Sequence, residues 1–297
     1  MNSLKIQLDT YACWTEQALE FFLPNNGEED TVTSAMRYSL LGGGKRLRAA
    51  LTLAFCSALG GKKEDAIVFS CALEMVHAYS LIHDDLPCMD DDEMRRGRPS
   101  CHIAFGEAVA LLAGDGLLTK AFETLSRSEL PPEQTVQAIS VLAKAAGHLG
   151  MIGGQRLDLE NEIIAASIER VEQTNRLKTG ALISAAVALG CIAAGADSKT
   201  MGFAESYAQH IGAAFQITDD ILDCTSSQEE LGKPIGSDAQ NHKTTYVSMY
   251  GIEEAKKIAG HRIEQAKQAL DAIDSCSMQG ASEFLYELAD YILTRRS

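Results

Sequence analysis

Apolar residues recur every three or four positions along almost the entire chain, which is the periodicity of one buried face of an α-helix. No sustained alternation of apolar and polar residues indicates a strand, and no hairpin signal is recognisable. The predicted helices span residues 3–23, 31–41, 45–60, 64–86, 105–128, 133–150, 167–195, 199–224, 240–250, 252–274 and 279–295.

The segments between these helices are short and contain the helix breakers. All six prolines fall at predicted helix ends or in loops, where a missing N–H does not interrupt the hydrogen-bond ladder. The 297 residues contain no repeat, low-complexity tract or long linker. We therefore predict an all-α fold with a single domain over residues 1–297, a large bundle of about ten helices around a central apolar cavity.

Charge and cysteine usage restrict the cellular setting. A formal net charge of −15 argues against nucleic acid as a partner. The first residues lack the apolar core of a secretory signal, and the eight cysteines include no CxxC pair. We interpret the cysteines as reduced thiols and expect a cytoplasmic protein.

One uncharged segment, residues 179–196, reaches the lower length limit of a membrane span at 18 positions. It consists mostly of Ala and Gly, with few large apolar side chains. Small residues let helices approach one another closely, so we predict a tightly packed core helix here and no membrane span.

Two acidic clusters stand out, HDDLPCMDDDE over residues 83–93 and DDILD over residues 219–223. In the second cluster, Asp219 and Asp223 lie four apart and share one helix face with Gln216. Nothing cationic at helical spacing neutralises them. An isolated cluster of this kind is often a solvated helix end, but two clusters in one helical chain, each after an apolar run, favour a bound cation.

The first cluster contains a break in the helix. Pro87 follows the pair Asp84 and Asp85, so Asp90 is free of ideal helical phase and can fold back towards Asp84. Ligand sets made only of oxygen favour Mg²⁺ or Ca²⁺ over zinc. A calcium-binding module fits poorly, because the cluster lacks the glycine and the spacing of an EF-hand loop.

Basic residues are clustered as well. GGGKRLR over residues 42–48 places three cations at a helix start, where backbone N–H groups and the helix dipole favour an anion. RRGR over residues 95–98 follows the first acidic cluster directly, and His77 lies seven residues before Asp84 on the same helical stripe. Either basic patch alone could be solvated charge. Acidic and basic clusters together in an apolar helical setting imply a metal-bridged diphosphate with a hydrocarbon tail.

The motifs occur in a recognisable order. GGGKRLR, HAYSLIHDDLPCMDDDEMRRG, GGQRLDL, KTG, FQITDDILD, LGKPIGSD and KTTY follow one another along the chain. In this set the chain closely resembles the trans-isoprenyl diphosphate synthases over nearly its whole length. The four residues between Asp85 and Asp90 resemble the bacterial farnesyl diphosphate synthase form. Two positions depart from the family pattern: Ala49 stands where Pro is usual, with little consequence expected, and Arg156 replaces a small residue for no reason evident in the sequence.

The resemblance implies specific roles. The metal ligands would be Asp84, Asp85, Asp90, Asp219 and Asp223, holding three Mg²⁺ ions against the allylic diphosphate. The residues that bind diphosphate would be Arg95, Lys178, Lys233 and Lys243 for the allylic substrate, and Gly44, Lys45, Arg48, His77 and Arg96 for isopentenyl diphosphate. Lys178, Thr179 and Gln216 would face the allylic cation during catalysis.

The resemblance also implies the reaction and its product. Isopentenyl diphosphate would condense with dimethylallyl and then geranyl diphosphate to give farnesyl diphosphate, and the protein would be a homodimer. Tyr79 and Ser80, five and four residues before Asp84, would limit chain length. The alternatives are a geranylgeranyl diphosphate synthase and a non-catalytic regulatory subunit. A terpene cyclase is disfavoured, because its second metal motif would carry Asn and Ser or Thr before a Glu.

Overall fold

The computed structural model describes residues 3–25, 30–164, 166–225, 244–275 and 282–295. The helices in chain order are α1 (Ser3–Phe22), α2 (Thr31–Leu40), α3 (Leu47–Ala58), α4 (Lys63–Asp84), α5 (Cys101–Phe105), α6 (Glu107–Leu125), α7 (Pro132–Ala146), α8 (Met151–Ile163), α9 (Ile168–Asn175), α10 (Ala181–Ala193), α11 (Ser198–Thr225), α12 (Tyr246–Tyr250), α13 (Ile252–Asp274) and α14 (Glu283–Thr294). A π-helical turn, Arg176–Gly180, joins α9 to α10. The all-α prediction is confirmed.

Two helices, α4 and α10, lie at the centre of the bundle. α4 packs against α1, α2, α3, α6 and α10, while α10 packs against α3, α7 and α11. Two helical stretches, Lys63–Asp84 and Ile168–Ala193, are long and apolar enough to cross a membrane, but 67% and 56% of their apolar windows are buried inside the protein. The segment predicted as a core helix thus lies among other helices as α10, with Leu189 and Gly190 buried.

The helix boundaries differ from the sequence prediction in several places. Residues 105–128 form α6 preceded by a break at Gly106, whose φ of 85° favours glycine. Residues 167–195 are divided by the π-helical turn. α8 was not predicted at all, because Gly153 and Gly154 are poor helix formers. A Cβ on Gly154 would lie 2.1 Å from the backbone nitrogen of Lys178, so glycine here permits a close contact between helices.

Within the described residues the all-α bundle contains one short hairpin, although the sequence carries no strand signal. Strand β1 (Met94–Arg95) pairs antiparallel with β2 (Arg98–Pro99). The two turn residues, Arg96 and Gly97, both have positive φ values of 54° and 72°. Such a turn matches the twist of a two-residue hairpin, and its strands are too short to leave a periodic signal in the sequence. Residues 240–243 and 279–281, at the starts of two predicted helices, lie outside the described residues.

The contact between α3 and α10 provides a test of the close packing. A Cβ on Gly190 would lie 2.4 Å from the carbonyl oxygen of Thr52 and 2.8 Å from Cβ of Phe55. We expect Gly190→Ala to lower the free energy of unfolding by about 1–3 kcal/mol, because the core resists overpacking. Gly202→Ala in α11, where nothing lies within 4 Å of the added Cβ, is the control and should be neutral or stabilising. Urea unfolding measures both, and equal effects would contradict the close contact.

Candidate active site

The first acidic cluster lies at the end of α4, where the chain folds back as predicted. The Asp90 amide donates to the Asp84 carbonyl oxygen at 2.9 Å. Burial raises the pKa of Asp84 to about 6; Lys178 opposes this increase and Asp90 adds to it. The Asp84 carboxylate therefore sits in a poorly solvated position beside a second carboxylate and within electrostatic reach of the π-helical turn.

Asp85 is turned towards the hairpin. Its carboxylate is buried and accepts a hydrogen bond from Nε of Arg95 at 2.9 Å, while a terminal nitrogen of Arg95 also bonds it. Arg95 contacts Asp92 at 3.0 Å as well. Burial raises the pKa of Asp85, and the hydrogen bond from Arg95 opposes that rise. The pair fixes Arg95 at the edge of the acidic cluster.

The second acidic cluster lies on α11 and receives a cation from the end of the chain. A terminal nitrogen of Arg295 lies 2.5 Å from Oδ1 of Asp219 and 3.0 Å from the carbonyl oxygen of Phe215. The Arg295 guanidinium also lies over the Phe215 ring, 3.9 Å from its centroid. Asp219 is therefore paired with a cation from a distant segment, although none lies at helical spacing on α11.

The other two carboxylates of this cluster are buried. Asp220 accepts hydrogen bonds from Nε2 of Gln216 at 3.1 Å and from the Tyr246 amide at 3.0 Å. Asp223 is 4% exposed. Asp220 thus anchors the start of α12 against α11, a structural role that the sequence did not indicate.

The donor set of the two clusters suits a hard cation. Within the described ranges, no group of three or more His, Cys, Asp or Glu side chains lies close enough to hold a metal alone. Mg²⁺ is usually held by one or two carboxylates together with substrate phosphate and water, so a pair such as Asp84 and Asp90 fits it. Burial raises the pKa of Asp84 because its charged form is poorly solvated. A nearby cation would offset that cost, so the raised pKa is also consistent with a metal site.

The glycine-rich basic turn places only two of its three cations towards the site. Arg46, at φ 48°, turns inwards, where it bonds Oε2 of Glu74 at 3.2 Å and the carbonyl oxygen of Leu40 at 2.6 Å. The Ala49 amide donates to Oε1 of Glu74 at 3.1 Å. Glu74, buried on α4, therefore ties the turn down and leaves Lys45 and Arg48 for other contacts. Proline at position 49 would lack this N–H, so Ala49 does have a structural consequence.

Arg48 and His77 meet in the interior. A terminal nitrogen of Arg48 lies 3.3 Å from Nε2 of His77. Burial lowers the pKa of His77 well below 6.5, and the nearby Arg48 and Arg96 lower it further. A guanidinium has no acceptor atom, so Nε2 must be the unprotonated acceptor of this bond. His77 is thus a neutral ring that orients Arg48.

Arg96 completes the basic cluster from the hairpin. One of its terminal nitrogens bonds the carbonyl oxygen of Gly43, and a Cβ on Gly44 would lie 2.8 Å from its Cζ. Gly44 is therefore needed for the guanidinium to lie across the turn. Burial lowers the pKa of Arg96, and neighbouring arginines add to this effect. Cations crowded in this way are typical of an anion site.

Electrostatic effects connect the basic turn to the second acidic cluster. Burial lowers the pKa of Lys45; Arg295 lowers it further and Asp219 opposes this. Lys45 therefore lies within reach of the Asp219 and Arg295 pair. The structure thus brings cations of the turn between α2 and α3, and of the hairpin, together with carboxylates of α4 and α11.

The π-helical turn lines a polar cavity of about 160 Å³ together with α8, α9, α11 and residues 244 and 245. Nζ of Lys178 lies 2.7 Å from Oδ2 of Asp158 on α8, and the Thr179 hydroxyl donates to Oε1 of Gln216 at 3.2 Å. Isolated π turns often mark functional positions. The three residues expected to face the allylic cation therefore lie together.

The two residues expected to limit chain length lie in different surroundings. Tyr79 is 5% exposed, and among the described residues its hydroxyl has no hydrogen-bond partner. Burial raises the pKa of Tyr79 to about 12, and Asp84 adds to this effect, so the phenol lies near the first acidic cluster. The Ser80 hydroxyl donates to the carbonyl oxygen of His77 at 3.0 Å and is thus bonded within α4.

Two predicted site residues lie outside the described part of the chain, and three residues of the site are not evident from the sequence. Lys233 and Lys243 lie outside the described residues. Sequence reasoning did not single out Asp158, Glu74 or Arg295. Only Asp158 had a local signal, because it follows the glycine pair of GGQRLDL at helical spacing. Arg156 bonds Glu160 one turn later on the exposed face of α8, which accounts for it as a surface ion pair.

Comparisons with known proteins find similar sequences and structures over most of the chain. The family model for polyprenyl synthetase matches residues 29–279. The chain is 42% identical over 283 residues to a farnesyl diphosphate synthase of Bacillus subtilis, with 94% of each chain covered. It is 45% identical over 271 residues to a chloroplastic geranylgeranyl pyrophosphate synthase of Capsicum annuum, covering 90% of this chain and 72% of that one. The apo structure of an FPP/GFPP synthase from Zymomonas mobilis aligns with a TM-score of 0.86 at 34% identity, over 98% of each chain.

The neutral state of His77 makes folding sensitive to acid. Because its pKa is lowered below 6.5 in the folded chain, the unfolded chain takes up a proton first as the pH falls through 6.5. Stability that is present above this pH is therefore lost below it. We expect a loss of about 1 kcal/mol over the first pH unit below 6.5 from this group alone.

Urea unfolding of the wild type and of His77→Gln, between about pH 7.5 and 5, measures this effect. Glutamine does not titrate, so the stability advantage of the wild type should shrink as the pH falls. A difference that does not change with pH would contradict the neutral, buried state of His77.

Proposed function

The chain belongs to the polyprenyl synthetase family, and we propose that it is a farnesyl diphosphate synthase. It joins isopentenyl diphosphate to dimethylallyl diphosphate and then to geranyl diphosphate. The observation that carries the proposal is the meeting of the basic cluster of Lys45, Arg48 and Arg96 with two carboxylate clusters. One diphosphate fits the basic cluster, and a second fits between the carboxylates if cations bridge it.

Magnesium is the proposed cofactor, with three ions held by Asp84, Asp85 and Asp90 on one side and by Asp219 and Asp223 on the other. When bound, Mg²⁺ neutralises the negative charge that develops on departing pyrophosphate. The oxygen-only donors and the raised pKa of Asp84 support this assignment. Arg95, Lys178, Lys233 and Lys243 bind the same allylic diphosphate.

The chain's own groups guide the carbon chemistry. The allylic C–O bond breaks, and the double bond of isopentenyl diphosphate attacks the resulting cation to form the new C–C bond. The Thr179 hydroxyl, the Gln216 amide oxygen and the Lys178 carbonyl turn their negative ends towards that cation. A proton then leaves the condensed product, and the departing pyrophosphate accepts it. The surrounding apolar helices exclude the water that would quench the cation.

Isopentenyl diphosphate is held apart from the allylic substrate. Arg48, fixed by neutral His77, and Arg96, fixed across Gly44, present guanidinium groups that match phosphate oxygens. The electrostatic interaction between Lys45 and Asp219 supports neighbouring positions for the two diphosphates. A non-catalytic regulatory subunit would not need both acidic clusters and this second anion site.

Product length separates the two synthase alternatives. We propose that the buried Tyr79 ring closes the hydrocarbon pocket and that Ser80 lines it, which favours the fifteen-carbon product. Geranylgeranyl diphosphate synthase is the alternative, since relatives of both names resemble the chain at about the same identity.

The assembly and the location are further parts of the proposal. Exposed apolar side chains on α6, including Leu111 and Leu112 at 47% and 52% exposure, support a homodimer that covers them. The cysteines of the described residues are free thiols, which supports a reducing, cytoplasmic setting.

The direct test of this function is a product assay with dimethylallyl and isopentenyl diphosphates. With Mg²⁺ we expect farnesyl diphosphate as the main product, and with EDTA we expect turnover to stop until Mg²⁺ is restored. Undiminished turnover in EDTA would contradict the metal proposal. A main product of twenty carbons would favour the geranylgeranyl alternative instead.

Kinetics of two variants should separate the two diphosphate sites. We expect Lys45→Ala to raise KM for isopentenyl diphosphate about tenfold to hundredfold, because one charge-assisted contact is lost. Asp84→Ala should instead lower kcat by about a hundredfold or more, because it supports charge that develops in the transition state. Lys256→Ala, at a lysine 55% exposed on α13, is the control and should change neither constant. An unchanged KM in Lys45→Ala would refute the assignment of that site.

A further inference from the structure

His83 lies directly before the first acidic pair, yet the proposed reaction does not use it. Its ring occupies a seat formed by Gly114 and the carbonyl oxygen of Leu111 on α6. A Cβ on Gly114 would lie 2.0 Å from Nε2 and 2.4 Å from Cδ2 of the ring. Nε2 lies 3.1 Å from the Leu111 oxygen, within reach of an N–H donated by the ring. The backbone of α6 therefore fixes where the His83 ring lies.

Tyr79 lies one helical turn before His83, on the same face of α4. Their ring centroids are 5.7 Å apart at an interplanar angle of 78°, an edge-to-face contact. No hydrogen bond from a described residue holds the Tyr79 hydroxyl, although that atom is buried. The orientation of the phenol consequently depends on the side chains packed against it, of which His83 is one.

We propose that His83 is a positioning residue that sets product length by bracing Tyr79 from the seat on α6. This inference rests on the proposed function, in which Tyr79 closes the hydrocarbon pocket. A growing chain that presses on the phenol must displace it, and the seated His83 ring opposes that displacement. Without the brace, the phenol can rotate aside and leave space for a further five-carbon unit.

The test compares the products of the full-length enzyme with dimethylallyl diphosphate, isopentenyl diphosphate and Mg²⁺. The first variant, His83→Ala, removes the ring that supports Tyr79 (the brace). The second, Gly114→Ala, fills the space on α6 that this ring occupies. The third, Tyr79→Ala, removes the ring proposed to close the hydrocarbon pocket (the floor). Gly202→Ala, with no atom within 4 Å of its added Cβ, controls for the glycine substitution in a helix. Circular dichroism and thermal unfolding identify the variants that remain folded.

For His83→Ala and Gly114→Ala we expect the ratio of twenty- to fifteen-carbon product to rise about threefold to tenfold, the range that one aromatic contact supports. Tyr79→Ala should lengthen the product more, and adding His83→Ala to it should lengthen it no further, because the brace then has nothing to hold. Gly202→Ala should keep the wild-type ratio. A structural role alone would change stability or overall rate without this change in ratio.

The outcomes distinguish the role of His83 from that of Tyr79. If Tyr79→Ala lengthens the product while folded His83→Ala and Gly114→Ala keep the wild-type ratio or shorten the product, the brace is overturned and the floor stands. If Tyr79→Ala itself leaves the ratio unchanged, the floor is wrong and the brace falls with it. If Gly114→Ala does not fold, His83→Ala alone decides.

Discussion

Ion pairs between separate segments of the chain hold the two acidic clusters in place, and the arrangement of the candidate site depends on them. The hairpin supplies Arg95 to Asp85, and the end of the chain supplies Arg295 to Asp219. The Asp85 carboxylate is buried and would be costly without its partner, whereas Asp219 is 41% exposed and is paired with the buried Arg295. Each acidic cluster therefore has one carboxylate paired with an arginine before any ligand binds. The same cations are suited to phosphate. In the proposed reaction, substrate binding would exchange the partners of these charges.

Close backbone contacts decide where those charges meet. Gly154 lets α8 approach the π-helical turn, and this brings Asp158 within 2.7 Å of the Lys178 ammonium. Gly190 does the same between α3 and α10, which sets the position of the helix that begins at the basic turn. Helix packing therefore determines the electrostatics of the site, because an added methyl group at such a position would separate charged partners as well as helices.

The sequence predicted the features that are local. Helical periodicity predicted the all-α class, and the break at Pro87 predicted that Asp90 folds back, which the hydrogen bond to the Asp84 carbonyl confirms. It did not reveal Glu74 as the anchor of the basic turn, because that contact joins α4 to a segment more than twenty residues away. For the same reason the Ala49 amide looked inconsequential, although Glu74 accepts its hydrogen bond. α8 was missed because propensity marks its glycines as breakers, whereas tertiary contact requires them.

The π-helical turn, Arg176–Gly180, also sets which way the helices on its two sides face. Such a turn contains one residue more than an α-helical turn does. If the same residues formed a regular α-helix, the side chains after the turn would be rotated relative to those before it by about 100°. Either Lys178 would turn away from α8, or the buried side chains of α9, Val171 and Thr174, would turn out of the core. The wider turn therefore allows the buried faces of α9 and α10 to point into the core at the same time.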